Sequence, residues 1–169
     1  TDIDRLLEDN PEIRDLLAPE AFDPAAWRAR VTISATDHQT ILLLPAVIAR
    51  LAREAPGLDV DVTPLRAREL DALRDGRTQL SFGVVEAPLP PGLRRRVLYR
   101  DRFVTVLRRD HPAAARDWTA ADYAGLDHVL VTVLGEGRGF LDDQLATLGL
   151  QRRLALRLPH FYAAMEVVA

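Results

Sequence analysis

The chain has 169 residues, 48% hydrophobic and 28% charged, enough for one sizeable core or two small lobes of a soluble globular protein. Eleven Pro and nine Gly without a biased tract exclude collagen-like and disordered classes, and no apolar run approaches the roughly 18 residues that a membrane helix needs. There is no Cys, so disulfides, thiolate nucleophiles and Cys-ligated zinc are excluded, and the four scattered His give no metal signature.

The balance of 22 basic against 25 acidic residues leaves a net charge of -3, and a domain that grips a phosphate backbone by itself usually has the opposite bias. The chain alone should therefore not hold DNA strongly. Every basic residue is Arg, which fits a GC-rich bacterial genome better than 22 chosen guanidinium contacts. The start of the chain (Thr1 to Leu7) has neither a basic leader nor an apolar stretch, so the expected compartment is the cytoplasm, with no membrane partner.

Residues 1 to 28 carry helical spacing at Ile3, Leu6, Leu7 and at Ile13, Leu16, Leu17, broken by Asn10-Pro11, and then a Pro-rich linker from Ala18 to Pro24. The folded unit is expected to begin near Arg28. Val31 to Ala35 reads as a strand and Ile41 to Ala55 as a helix with Ile41, Leu44, Ile48, Leu51 and Ala52 on its apolar face. Leu58 to Val62 is strand-like, Glu69 to Arg74 a short helix closed by Asp75-Gly76, and Gln79 to Val85 a buried strand. The resulting βαβαβ order predicts a parallel sheet, because parallel strands need crossovers that pack on the sheet face.

Val97 to Tyr99 and Phe103 to Leu107 read as strands crossing to a second lobe, where the pattern restarts. A helix opens at Thr119 to Asp122, followed by a strand over His128 to Val133, a helix over Phe140 to Leu148, a strand over Leu154 to Leu158 and a helix over His160 to Ala169. This divides the chain into 1-28 (linker), 29-102 (lobe I) and 103-169 (lobe II).

Candidate chemistry sits at strand-to-helix junctions, where open α/β sheets bind ligands against free helix N-H groups. Ala35-Thr36-Asp37-His38 is such a junction, readable as a helix cap alone or as a cap that also faces a ligand. Asp37 beside His38 invites a triad reading, but no Gly-x-Ser-x-Gly turn supplies a nucleophile. Leu134 to Gly139 places glycines at 135, 137 and 139, one residue off a dinucleotide fingerprint, so no nucleotide cofactor is expected; Arg138 in that loop can present a fork to a carboxylate. Pro159-His160-Phe161 is the corresponding junction of the second lobe, with an imidazole to hydrogen-bond and a ring to stack on an aromatic ligand. The seven Arg between Arg94 and Arg109 lack interleaved stacking aromatics and read as a solvated face or subunit contact.

Several stretches together resemble one family. Phe22-Asp23-Pro24-Ala25, Ala35-Thr36-Asp37 with Leu44-Pro45, Glu54-Ala55-Pro56-Gly57, Gly92-Leu93-Arg94-Arg95-Arg96, Asp101-Arg102-Phe103-Val104, Arg109-Asp110-His111-Pro112 and Pro159-His160-Phe161 occur in order over residues 22 to 169. This pattern is similar to the effector-binding domain of LysR-type transcriptional regulators, most closely the branch that answers aromatic inducers. The resemblance implies an α/β fold of two Rossmann-like lobes of the type 2 periplasmic-binding kind, the second incomplete here. It implies a small-molecule inducer between the lobes and self-association as a dimer or tetramer. Promoter DNA would be contacted only through an N-terminal helix-turn-helix absent from these residues. It maps the effector site onto Thr36, Asp37, His38, Arg138, His160 and Phe161, with no catalytic residue, no metal and no cofactor. The family's aromatic-sensing members often carry a His between the glycines; Arg138 in its place suits an acidic effector. The rival readings are a free-standing solute-binding protein and, further off, a small hydrolytic enzyme using Asp37-His38 as an acid/base pair.

Overall fold

A computed structural model describes residues 22–83, 88–134 and 139–169. The helices expected within residues 1–21, the end of the strand expected over Gln79 to Val85, and Gly135, Gly137 and Arg138 of the 134–139 loop lie outside the described residues. The described chain forms two parallel sheets. Lobe I contains β1 (Ala29–Ser34), α1 (Asp37–Glu54), β2 (Leu58–Thr63), α2 (Glu69–Arg74) and β3 (Leu80–Ser81), with strand order β2-β1-β3. Lobe II contains a 3-10 turn (Pro112–Ala115), α3 (Ala120–Ala124), β4 (Asp127–Val131), α4 (Phe140–Thr147), β5 (Arg153–Leu158) and α5 (Phe161–Val168), with β4 beside β5.

In lobe I, β1 runs in register with β2 from Ala29 opposite Leu58 to Ser34 opposite Thr63, and Ile33 and Ser34 face Leu80 and Ser81 of β3. The central strand therefore ends on fully buried Ser34, whose hydroxyl pairs with Thr63 at 3.1 Å, and hands the chain to α1 through buried Ala35 and Thr36. α1 starts four residues before its apolar periodicity does, because Thr36 and Gln39 form a reciprocal cap: the Gln39 carboxamide oxygen accepts from both the Thr36 N–H and hydroxyl. Pro45 lies inside α1 and leaves the Ile41 carbonyl without its usual donor, yet the helix continues to Glu54. Leu44 is buried on this helix, whereas Ile41 and Ile48, expected on the same apolar face, are 49% and 43% exposed.

α2 and α4 end alike. After α2, Gly76 (φ 70°) lets the Arg77 N–H reach back to the Ala72 carbonyl at 2.9 Å, and after α4, Gly149 (φ 70°) does the same for Leu150 and Leu145. Both stops need a left-handed residue that only glycine adopts without strain.

The β4–β5 ladder carries a register shift between His128 and Val129, and the 2.6 Å Arg153–Asp127 ion pair marks its open end. The segments Val97 to Tyr99 and Phe103 to Leu107, expected as strands, are not strands here. They run without a ladder partner among the described residues, and Phe103 is 82% exposed, its ring stacked on Phe140 at 6.4 Å. β-branched and aromatic content makes a strand only where a neighbouring strand takes up its N–H and C=O groups.

The N-terminus of α3 is held by Thr119 and Asp122, each capping the other, and Arg116 joins Asp122 at 2.8 Å. The Thr119 hydroxyl and N–H, with the Arg116 guanidinium, hold the Asp122 carboxyl down at about 2. A folded-state value below the unfolded one means that this cap contributes stability above about pH 4 and loses it as pH falls toward 2. Acid unfolding followed by Trp118 fluorescence should accordingly show Asp122→Asn less stable than the parent near neutrality and the gap closing below about pH 3; a constant gap across that range would sink the assignment.

Candidate functional site

The two lobes meet where the first strand-to-helix turn of lobe I faces the last one of lobe II. Asp37 is the first residue of α1, and its carboxylate crosses between the lobes: Oδ1 accepts from the Phe161 N–H at 3.0 Å and Oδ2 from the Tyr162 N–H at 2.8 Å. These are two of the amides at the start of α5 that no helical carbonyl can satisfy. Burial raises the Asp37 carboxyl, but the Tyr162, Phe161 and His38 N–H groups and nearby His160 outweigh it and hold the group below its ordinary value. Asp37 is therefore a carboxylate near neutral pH.

His38 packs beside the same junction, its ring 6.0 Å from that of Phe161 and tilted by 56°, with Nε2 3.8 Å from Asp101 Oδ2 on the segment crossing between the lobes. His160 is the N-cap residue of α5 and is exposed. Thus Asp37, His38, His160 and Phe161 are brought to one junction, and Thr36 stands one residue away with its hydroxyl turned to Gln39. Arg138 lies outside the described residues, but Gly139, directly after it, is placed as the N-cap of α4.

What holds Gly139 is a buried polar cluster that the sequence reading passed over. Asp142 accepts from the Gly139 N–H at 2.6 Å and from Arg152 Nε at 2.6 Å, while Arg152 also donates to the Tyr123 hydroxyl at 2.9 Å. The Arg152 and Asp142 side chains are only 4% and 10% exposed. The Tyr123 ring lies 4.5 Å from that of His128, whose Nε2 meets the Tyr123 carbonyl at 2.8 Å. A carbonyl only accepts, so Nε2 carries the proton. Burial pushes the His128 imidazole down, and Arg152 adds to that shift against the pull of the Tyr123 carbonyl. His128 is thereby a neutral structural residue. His111 caps the 3-10 turn, its Nδ1 accepting from the Ala113 N–H at 3.1 Å.

Among the described residues no helix is long and apolar enough to cross a membrane, and no group of three or more His, Asp and Glu is placed to hold a metal ion. Residues 24–169 match the LysR substrate binding domain. The chain belongs to that LysR family. It is 42% identical over 130 residues to the HTH-type transcriptional regulator SyrM of Rhizobium meliloti (strain 1021), covering 76% of this chain and 40% of SyrM. With the HTH-type transcriptional activator NagR of a Ralstonia species it shares 31% identity over 149 residues, 88% of this chain and 49% of NagR. Among solved structures, the probable transcriptional regulator PA0477 from Pseudomonas aeruginosa superposes with a TM-score of 0.75 at 31% identity, over 98% of this chain and 56% of that one. The chain therefore spans less than half the length of those two curated relatives, and its fold is of the type 2 periplasmic-binding kind that the family resemblance implies.

Proposed function

We propose that this chain is the inducer-sensing part of a LysR-type DNA-binding transcription regulator and takes a small aromatic or carboxylic effector between its lobes. The observation that supports this most is the junction itself: strand-to-helix turns from both lobes converge there through Asp37 and Phe161, and helix N-termini at such turns are where open α/β lobes take small ligands. On this reading, with lobe I at 29-102 and lobe II at 103-169, Thr36 and His38 line one side and His160 and Phe161 the other. Arg138 supplies a charge-assisted fork for a carboxylate, His160 a hydrogen bond and Phe161 an apolar wall. No bond is made or broken. The effector acts by binding one lobe arrangement more tightly than another, since equal affinity for both would shift nothing, and the rearrangement alters the spacing of distant DNA-binding heads.

Self-association belongs to the same proposal. α1 leaves Ile41, Leu42, Val47 and Ile48 exposed, and β2 is an edge strand among the described residues, so a second copy can cover both.

Calorimetry with a panel of aromatic carboxylates on the parent, Arg138→Ala and His160→Ala tests the site. Arg138→Ala should weaken the best acidic binder by roughly 1.5 to 3 kcal/mol, the worth of a hydrogen bond to a charged group. Unchanged affinity in both variants would put the effector elsewhere.

A further inference from the structure

Asp37 does more than begin a helix. It is the first residue of α1, and it also occupies the N-terminus of α5, 124 residues further along the chain. The positive ends of two helix dipoles therefore converge on one carboxylate. Both of its oxygens are engaged across the junction, Oδ1 by Phe161 and Oδ2 by Tyr162. Around it, His38 of lobe I lies against the Phe161 ring of lobe II and reaches toward Asp101, so a single turn of lobe I touches both the far lobe and the crossing segment.

We propose that Asp37 is an interlobe clasp: its carboxylate holds the N-terminus of α5 to the first turn of α1 and so sets the separation of the two lobes. Without that charge, two positive helix ends face each other across the junction and the lobes relax apart. Asp37 is on this account a positioning residue, because its acceptor oxygens are directed at the protein's own backbone. The inference rests on the effector reading only for its purpose, which is that lobe rearrangement must break or remake these two bonds.

The clasp has a direct reporter. Phe161 and Tyr162 are the first two residues of α5, and the first N–H answered by a helical carbonyl is that of Ala164, at 3.1 Å from the His160 oxygen. Protection of the Phe161 and Tyr162 amides from solvent exchange therefore comes from Asp37. Amide hydrogen exchange on the 169-residue chain, without any effector, should show these two amides exchanging about tenfold or more faster in Asp37→Ala, with the β1 and β2 amides unchanged. Asp37→Asn keeps the volume and one acceptor oxygen, should lose protection at one amide more than at the other, and serves if the alanine variant does not fold. Spin labels at Ala67→Cys and Asp143→Cys, in a chain that has no other cysteine, should give a broader and longer interlobe distance distribution in either variant. Unchanged exchange at both amides, or an unchanged distance distribution, would overturn the clasp. Aromatic carboxylates added to the same samples separate the two ideas: no binding to the parent speaks against the effector reading and leaves the exchange result standing.

Discussion

Arg152→Met should cost lobe II about 3 to 5 kcal/mol, the usual consequence of removing one member of a buried ion pair. The pair with Asp142 is short, at 2.6 Å, and both side chains are almost fully covered. Methionine fills much the same space, so the loss is chiefly electrostatic: the buried Asp142 carboxylate at the start of α4 would lose the Arg152 guanidinium. Burial alone works against the charged guanidinium, yet the Asp142 hydrogen bond and Tyr123 carry the balance, holding the Arg152 proton more tightly than usual. The double variant Arg152→Met/Asp142→Asn should regain part of the loss, since the amide keeps an acceptor for the Gly139 N–H and brings no charge. Urea unfolding followed by Trp118 reads the right lobe, because that indole donates to the Ala113 carbonyl at 2.7 Å and lies 6.4 Å from Tyr123. A single variant no weaker than about 1 kcal/mol below the parent, or a double variant worse than the single, would show that the cluster is not what anchors the α4 N-terminus.

That anchor bears on function through Gly139. The loop carrying Arg138 ends on a residue whose N–H is fixed by Asp142, so the fork proposed to meet an effector hangs from the same cluster that stabilises the lobe. On the proposed effector reading, stability and recognition are coupled at α4, and a variant weakened at Arg152 should be judged for binding only where it is still folded.

Much of the architecture was legible because its signals are local. α2 matches its expected bounds of Glu69 and Arg74, and the glycine after Asp75 stops it as read. The strands β1, β2, β4 and β5 and the helices α4 and α5 fall within a residue or two of expectation, as period and flanking caps dictate. The start of α1 was misplaced because its first turn, Asp37 to Thr40, is polar and is specified by the Thr36–Gln39 cap instead of by apolar spacing. Val97 to Tyr99 and Phe103 to Leu107 have the composition of strands, but pairing is a property of two segments and no partner stands beside them among the described residues. The junction was legible only as topology. That Thr36, Asp37, His38, His160 and Phe161 sit at strand-to-helix turns follows from the pattern; that Asp37 reaches the amides of α5 is a contact across 124 positions with no local trace. The Arg152–Asp142 pair was invisible for a different reason, since charged residues ten positions apart look like solvated surface until the fold closes over them.

Leu44→Ala should destabilise lobe I by about 2 to 5 kcal/mol, whereas Ile48→Ala on the same helix should change it by well under about 1 kcal/mol. The contrast follows from exposure: Leu44 is 6% exposed, and its loss opens a cavity that the small-residue core of lobe I cannot refill. Other buried residues of lobe I include Ile33, Ala35, Ala55 and Ala72, so one isobutyl group is a large share of the apolar volume that α1 contributes. Ile48 is nearly half exposed and serves a different end in the proposed assembly, where Ile48→Asp should shift sedimentation toward the monomer and leave the unfolding midpoint of lobe I almost where it was. Trp27 reports this lobe, lying with Val47, Leu51 and Ala55 around a shallow apolar cavity of about 400 Å³ against α1. Since the chain has two Trp, a Trp118→Phe background leaves Trp27 as its sole indole, and urea titrations of Leu44→Ala and Ile48→Ala in that background compare the two faces directly. Equal losses from both would mean that Ile48 is covered in the folded protein, and that the outer face of α1 belongs to the core of this lobe instead of to a contact with a second copy.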